Sequence, residues 1–165
     1  MPPTLSAAER EPLILEYERG ASLLRAAWQG VPEPARQWPP APGKWSAHEV
    51  VVHCADSETY AATRIRLVVA EADPLIVGYQ QDAWARVFEY HSRSADLALE
   101  AVDAVRANTV PILRILADAN WSKTGRHTET GAYTACDWLS VYAPHLTSHA
   151  RQIERNVAAW RSAAR

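Results

Sequence analysis

His145 and His149 stand four residues apart. On a helix that spacing puts both side chains on one face, one turn apart. It is the spacing by which a helix offers two imidazoles to one metal ion. The pattern is short, and two histidines near a helix surface are its plainer reading. Position favours the metal. His149 falls in an apolar stripe between Leu146 and Ile153, so both rings should face a helical interior. An imidazole buried there without a partner costs roughly 1–3 kcal/mol. His53 falls in a second apolar stripe, between Val50 and Ser57. Taken alone it reads as a hydrogen-bonded core histidine. If the two helices face one another across a core, it can complete a set of three imidazoles. Three protein ligands with positions left open are the pattern of a catalytic metal site, and neutral imidazoles suit Zn, Ni, Fe or Co.

The elements that must position these residues read as four helical segments. Ser6 with Glu9, Ser46 with Glu49 and Thr134 with Asp137 have the spacing of capping boxes, each ahead of an apolar periodic run. The first helix is expected over Ser6 to Gln29, with Leu13, Tyr17, Leu24 and Trp28 inward; Pro12 either kinks its first turns or marks the true first turn. Five prolines between residues 31 and 45 make a loop. The second helix runs from Ser46 to before Asp73-Pro74. A short helix follows over Asp82 to Tyr90. The third long helix covers Ser94 to Ala119, with Ala98, Val102, Val105, Thr109, Ile112 and Leu116 inward; Pro111 should bend it or leave a carbonyl free. Trp121 to Tyr133 reads as a loop. A continuous fourth helix covers Thr134 to Ser162. No segment alternates long enough to be read as a strand. The expectation is an all-α four-helix bundle forming a single domain over 1–165.

Two stretches resemble a known family. The run GKWSAHEVVVHCADSE, residues 43 to 58, and the run TGAYTACDWLSVYAPHLTSHARQIE, residues 130 to 154, are similar in order and separation to the DinB/YfiT-like superfamily of metal-binding four-helix bundles. The resemblance implies that His53, His145 and His149 form a divalent-metal triad, with Zn or Ni first and Fe, Co or Mn as alternatives. It implies a small-molecule enzyme of one of two kinds. One is a metal-dependent hydrolase. The other is an S-transferase using a low-molecular-weight thiol such as bacillithiol or mycothiol. It also implies a homodimer. A non-catalytic, metal-stabilised or metal-sensing bundle is the competing class.

Ligating histidines usually donate their second N–H to another group, and Glu49, Asp56 and Gln152 are the candidates. His48 is expected to face solvent, His91 to lie on the surface, and His127 to make a loop hydrogen bond or approach the site mouth. Trp45 and Trp138 read as core or loop anchors, and Trp84 and Tyr142 as packing residues that could line a pocket. Cys54 reads as a small buried hydrophobe. Cys136, in the first turn of a helix, is a candidate reactive thiol. Because the ligands must be neutral, protons are expected to displace the ion as the pH falls below the free imidazole value of ~6.5.

The composition excludes other classes. The chain has 165 residues, 48% hydrophobic and 22% charged, which is the balance of a globular domain. Seventeen basic residues against nineteen acidic give a net charge of -2, which argues against nucleic-acid binding by bulk charge. There is no apolar run of signal-peptide or membrane-span length. Two cysteines imply no disulfide framework, so a reducing, cytoplasmic setting is expected.

Overall fold

The computed structural model describes residues 5–164; the single domain expected over 1–165 extends beyond them at both ends. The helices are α1 (Ala7–Gln29), α2 (Ala47–Ala70), α3 (Gln81–Val87), α4 (Ala95–Ile115), α5 (Asp118–Trp121), α6 (Ala135–Tyr142) and α7 (His145–Ala163). All three capping boxes form, so the starts of α1, α2 and α6 coincide with their sequence signals. Pro12 lies inside α1 and Pro111 inside α4. Each leaves without a donor the carbonyl four residues earlier, on Ala8 and Ala107. Both of those residues are exposed, so their carbonyls are within reach of solvent.

Round the bundle the order is α1, α4, α2, α7. Helices α1 and α2, consecutive in sequence, lie diagonally opposite, and the proline-rich segment with its 3-10 turn at Glu33–Ala35 spans that end. The core is divided in two. One apolar cluster gathers Leu24, Trp28, Val51, Leu99, Leu146 and Ile153; the other gathers Tyr17, Ile65, Leu113, Trp138 and Leu139. Between them sits a buried polar layer of Glu58 and Arg106. Arg106 reaches across to the Tyr17 carbonyl of α1. Gly20 makes room for it, since a Cβ there would lie 2.5 Å from Arg106 Nη1 and 3.0 Å from Leu146 Cβ. Gly20→Ala is therefore expected to destabilise the fold by about 1–3 kcal/mol through overpacking, although alanine is the better helix former. Urea unfolding would check it, and an unchanged or raised midpoint would count against the close approach.

Two expectations are corrected. The last helix is not continuous. It breaks at Ala143–Pro144, because Pro144 has no N–H to continue the ladder and α7 starts anew at His145. The break frees the Tyr142 carbonyl, which accepts from Arg106 Nη2 at 3.1 Å. The segment read as a loop carries strands β2 (Thr124–His127) and β3 (Gly131–Thr134), antiparallel, with β1 (Leu75–Ile76) added parallel to β2. Gly131, at φ +81°, provides the left-handed residue after the turn. These strands are two to four residues long, too short for alternation to show. Smaller differences follow the same logic. The third long helix stops at Ile115, and the short one covers Gln81–Val87. The inward face of α4 runs through Leu99, Arg106, Val110 and Leu113, leaving Val105 and Ile112 half-buried. No described helix is long and apolar enough to cross a membrane.

Candidate metal centre

His53 comes from the second turn of α2, and His145 and His149 come from the first two turns of α7, the neighbouring helix. The structure brings all three together. One nitrogen from each ring lies within 4.8 Å of the others. The ring centroids are 4.6 Å apart for His145 and His149, 4.9 Å for His53 and His149, and 5.8 Å for His53 and His145. His53 is almost wholly buried, and Trp45 covers it with a ring centroid 4.7 Å away. The Trp45 carbonyl accepts from the buried Asn156 Nδ2 at 3.0 Å, which ties α7 to the segment leading into α2.

Hydrogen bonds fix the tautomers of the two α7 rings. His145 Nδ1 is 3.0 Å from Glu58 Oε1, and His149 Nδ1 is 2.9 Å from Gln152 Oε1. Both partners are acceptors, so each Nδ1 carries the proton and each Nε2 keeps a lone pair. This is the arrangement by which a second group orients a metal-ligating histidine. Nδ1 of His53 is buried with no partner at all. The donor set therefore fits a divalent ion of the kind imidazoles prefer. It comprises two oriented rings with free lone pairs and a third ring short of a partner.

Electrostatics agree. Burial, and then the neighbouring His149 and His145, push His53 down to about 3; burial and His145 push His149 down to about 4. Both rings are neutral at pH values where a free imidazole is half charged. Burial alone would raise the Glu58 carboxyl, but the Arg106 guanidinium and His145 outweigh it and hold it below the usual carboxylate range. Arg106 donates twice to that carboxylate, from Nε at 2.9 Å and Nη2 at 2.7 Å. The chain Arg106–Glu58–His145 thus keeps an anion aimed at a ligand ring from inside the core. If Gln152 holds its ring in the same way, Gln152→Ala should weaken metal binding ~10-fold or more with little loss of stability, since Gln152 is half-exposed. Competition with a chelating dye would measure it.

Of the three suggested partners, only Gln152 stands. The Glu49 carboxylate is taken by the Ser46 cap, and Asp56 accepts from Tyr90 Oη at 2.9 Å and Arg93 Nη1 at 2.7 Å. Glu58 was missed, although it lies five residues after His53 in the quoted motif. His48 does not simply face solvent: it is half-buried, its Nε2 2.7 Å from the Arg93 carbonyl and its ring against Trp28. His91 is exposed. His127 is buried at the end of β2 and its Nδ1 accepts from the Glu129 N–H, the local hydrogen bond rather than a place among the three rings. Trp138 is fully buried and donates to the Ala61 carbonyl at 2.8 Å. Trp84 lines a surface cavity of about 550 Å³ with Tyr60 and Phe88, and Tyr142 packs on Trp138 with its ring 5.6 Å from that of His145. Cys54 and Cys136 are both buried, which leaves Cys136 without the access a reactive thiol needs.

Known proteins are similar to this chain. The family model of the DinB superfamily matches residues 16–153. A protein of Oceanobacillus iheyensis named "putative metal-dependent hydrolase" is 28% identical over 111 residues, which are 67% of this chain and 64% of that protein. A Bacillus licheniformis protein with the same functional name is 28% identical over 156 residues, 91% of this chain and 87% of its own. The chain thus spans 64% of the length of the Oceanobacillus relative. Among solved structures, YfiT from Bacillus subtilis, described as "a probable metal-dependent hydrolase with an unusual four-helix bundle topology", superposes with a TM-score of 0.85. It is 23% identical, over 92% of this chain and 87% of YfiT, and it shares the fold.

Proposed function

Since this chain belongs to the DinB superfamily, we propose that it is a metal-dependent enzyme of the hydrolase type acting on a small molecule, with a divalent ion, Zn or Ni, held by His53, His145 and His149. The observation that carries the reading is the convergence of three imidazole nitrogens within 4.8 Å, two of them on rings already oriented through Nδ1. The names of the relatives supply the reaction type. A divalent ion bound by three histidines supplies a Lewis-acidic centre with positions open for water or substrate.

The chain's own residues prepare that centre. Glu58 and Gln152 hold two rings in the ligating tautomer. Trp45 keeps water from the buried side of His53. The Ser57 hydroxyl stands 3.4 Å from His145 Nε2, where it can hold a polar group of the substrate beside the ligand. A low-molecular-weight thiol as cosubstrate belongs to the alternative reaction, S-transfer; a homodimeric state and a cytoplasmic setting complete the proposal. The family likeness supports the dimer, and the two cysteines, both free in the structure, support the reducing setting.

Elemental analysis of the purified protein tests the core of the reading. About one divalent ion per chain is expected, and its loss from each of His53→Ala, His145→Ala and His149→Ala. Equal metal in the wild type and all three variants would refute it. A screen of the loaded protein against ester and amide substrates, with and without added thiols, then separates hydrolysis from thiol transfer.

A further inference from the structure

Among the described residues three arginines are more than nine-tenths buried: Arg10, Arg64 and Arg106. Arg10 is paired with Asp118, and Arg106 with Glu58. Arg64 has no such partner. Among the described residues no carboxylate comes within ion-pair distance of its guanidinium. Its neighbours are neutral: Nη1 donates to Tyr142 Oη at 2.9 Å, Nη2 donates to the Val77 carbonyl at 2.6 Å, and the group lies 4.5 Å over the Tyr60 ring and 5.8 Å from that of Tyr79. Nε is buried with no partner. A guanidinium carries five N–H donors, so three of them, on Nε and both Nη atoms, remain free. A cation taken out of water without a counter-charge is costly, and folding alone does not explain why it is an arginine.

Its place suggests what supplies the missing charge. Tyr142 Oη, which accepts from Arg64, keeps its own proton to donate, and its ring lies 5.6 Å from the ring of His145. The Tyr79 hydroxyl lies beside Ser57, whose Oγ is 3.4 Å from His145 Nε2. Arg64 thus stands one tyrosine away from the three histidines, on the same helix as His53. We propose that Arg64, with the hydroxyls of Tyr142 and Tyr79, forms a subsite for a carboxylate of the substrate, whose reacting end lies at His53, His145 and His149. One guanidinium and two neutral donors match a single negative charge, and the free N–H groups of the planar fork suit the two oxygens of a carboxylate. The inference rests on the proposed metal-centred function and adds to it the class of substrate: small carboxylic acids.

The test uses full-length protein loaded with Co(II) and a series of ω-mercaptocarboxylates, from mercaptopropionate to mercaptooctanoate, each paired with its amide. Binding is read from the thiolate-to-cobalt absorption band. At the chain length that spans from the histidines to Arg64, the acid should bind at least ~10-fold more tightly than its amide. In Arg64→Gln the ratio should fall to unity while the cobalt content stays the same. A ratio of unity in the wild type at every chain length overturns the proposal, and this comparison holds even if the variant fails to fold. If the protein takes up no metal, the function proposed above fails on its own. The subsite is then read in metal-free protein as a rise in thermal midpoint with hexanoate over hexanamide, and absence of that rise overturns it.

Discussion

Arg106→Met is expected to lower the stability of the fold by about 3–5 kcal/mol, the cost of leaving a buried carboxylate without its cation. Glu58 is fully buried and accepts two hydrogen bonds from Arg106. Without them its desolvation is no longer offset, and the carboxyl takes up a proton. For a chain of this size the loss corresponds to roughly 6–20 °C in Tm. The double variant Arg106→Met, Glu58→Met should regain much of it, since an apolar pair of similar volume has no charge to hide. Metal binding should weaken in both. A neutral Glu58 accepts from His145 Nδ1 only weakly and an absent one not at all, and loss of such a partner typically costs 10–100-fold in affinity. Urea unfolding with matched metal titrations measures both effects. A double variant as unstable as the single one would show that the loss is one of packing rather than charge.

The second large effect is on acid stability in the metal-free protein. His53 is pushed down to about 3 and His149 to about 4 in the folded chain, chiefly by burial, whereas the unfolded chain takes up the same protons near ~6.5. The folded values are depressed, so the unfolded state binds more protons between those limits. The contribution of these groups is complete above pH 6.5 and is lost as the pH falls toward 4 and then 3. Each group removes roughly 1.4 kcal/mol per pH unit, so the pair removes about 4 kcal/mol by pH 5. Chelated protein should therefore melt at sharply lower temperature from pH 7 to pH 5, and His53→Ala should reduce the slope. Loaded protein should resist, because an ion that binds only the folded form adds RT ln(1 + [L]/Kd). This changes the simple expectation of release near pH 6.5: the folded site outcompetes protons to lower pH, and release accompanies unfolding. A chelated protein whose midpoint does not move between pH 7 and 5 would mean that the histidines are solvated.

What could be read in the sequence was whatever local chemistry dictates. Capping needs only a hydroxyl and a carboxylate three residues apart, so Ser46 with Glu49 and Thr134 with Asp137 mark helix starts whatever surrounds them. The three histidines are legible because a polar ring in an apolar stripe is conspicuous. Glu58 and Arg106 lie in similar stripes, but charged residues on helices are so often solvated that only the contact between helices reveals their burial. Arg64 is hidden for the same reason. The helix break was legible in principle at Pro144, but the apolar period passes through it without a change of face. The small sheet was not legible, because strands of two to four residues carry no period, and β1 pairs with a segment 51 residues away.

The ring order α1, α4, α2, α7 also bears on how the chain is made. Emerging from the ribosome at roughly 5–20 residues per second, α1 appears first, yet the next long helix, α2, is its diagonal opposite and shares almost no surface with it. Its first real neighbour is α4, and its other flank waits for α7. For several seconds the side that carries Leu24 and Trp28 has nothing to cover it. A nascent chain stalled before Ala95 should therefore engage holdase chaperones and be cleaved readily by proteases. Adding α4 should give partial protection, and full protection should come only when His145 to Val157 have cleared the exit tunnel.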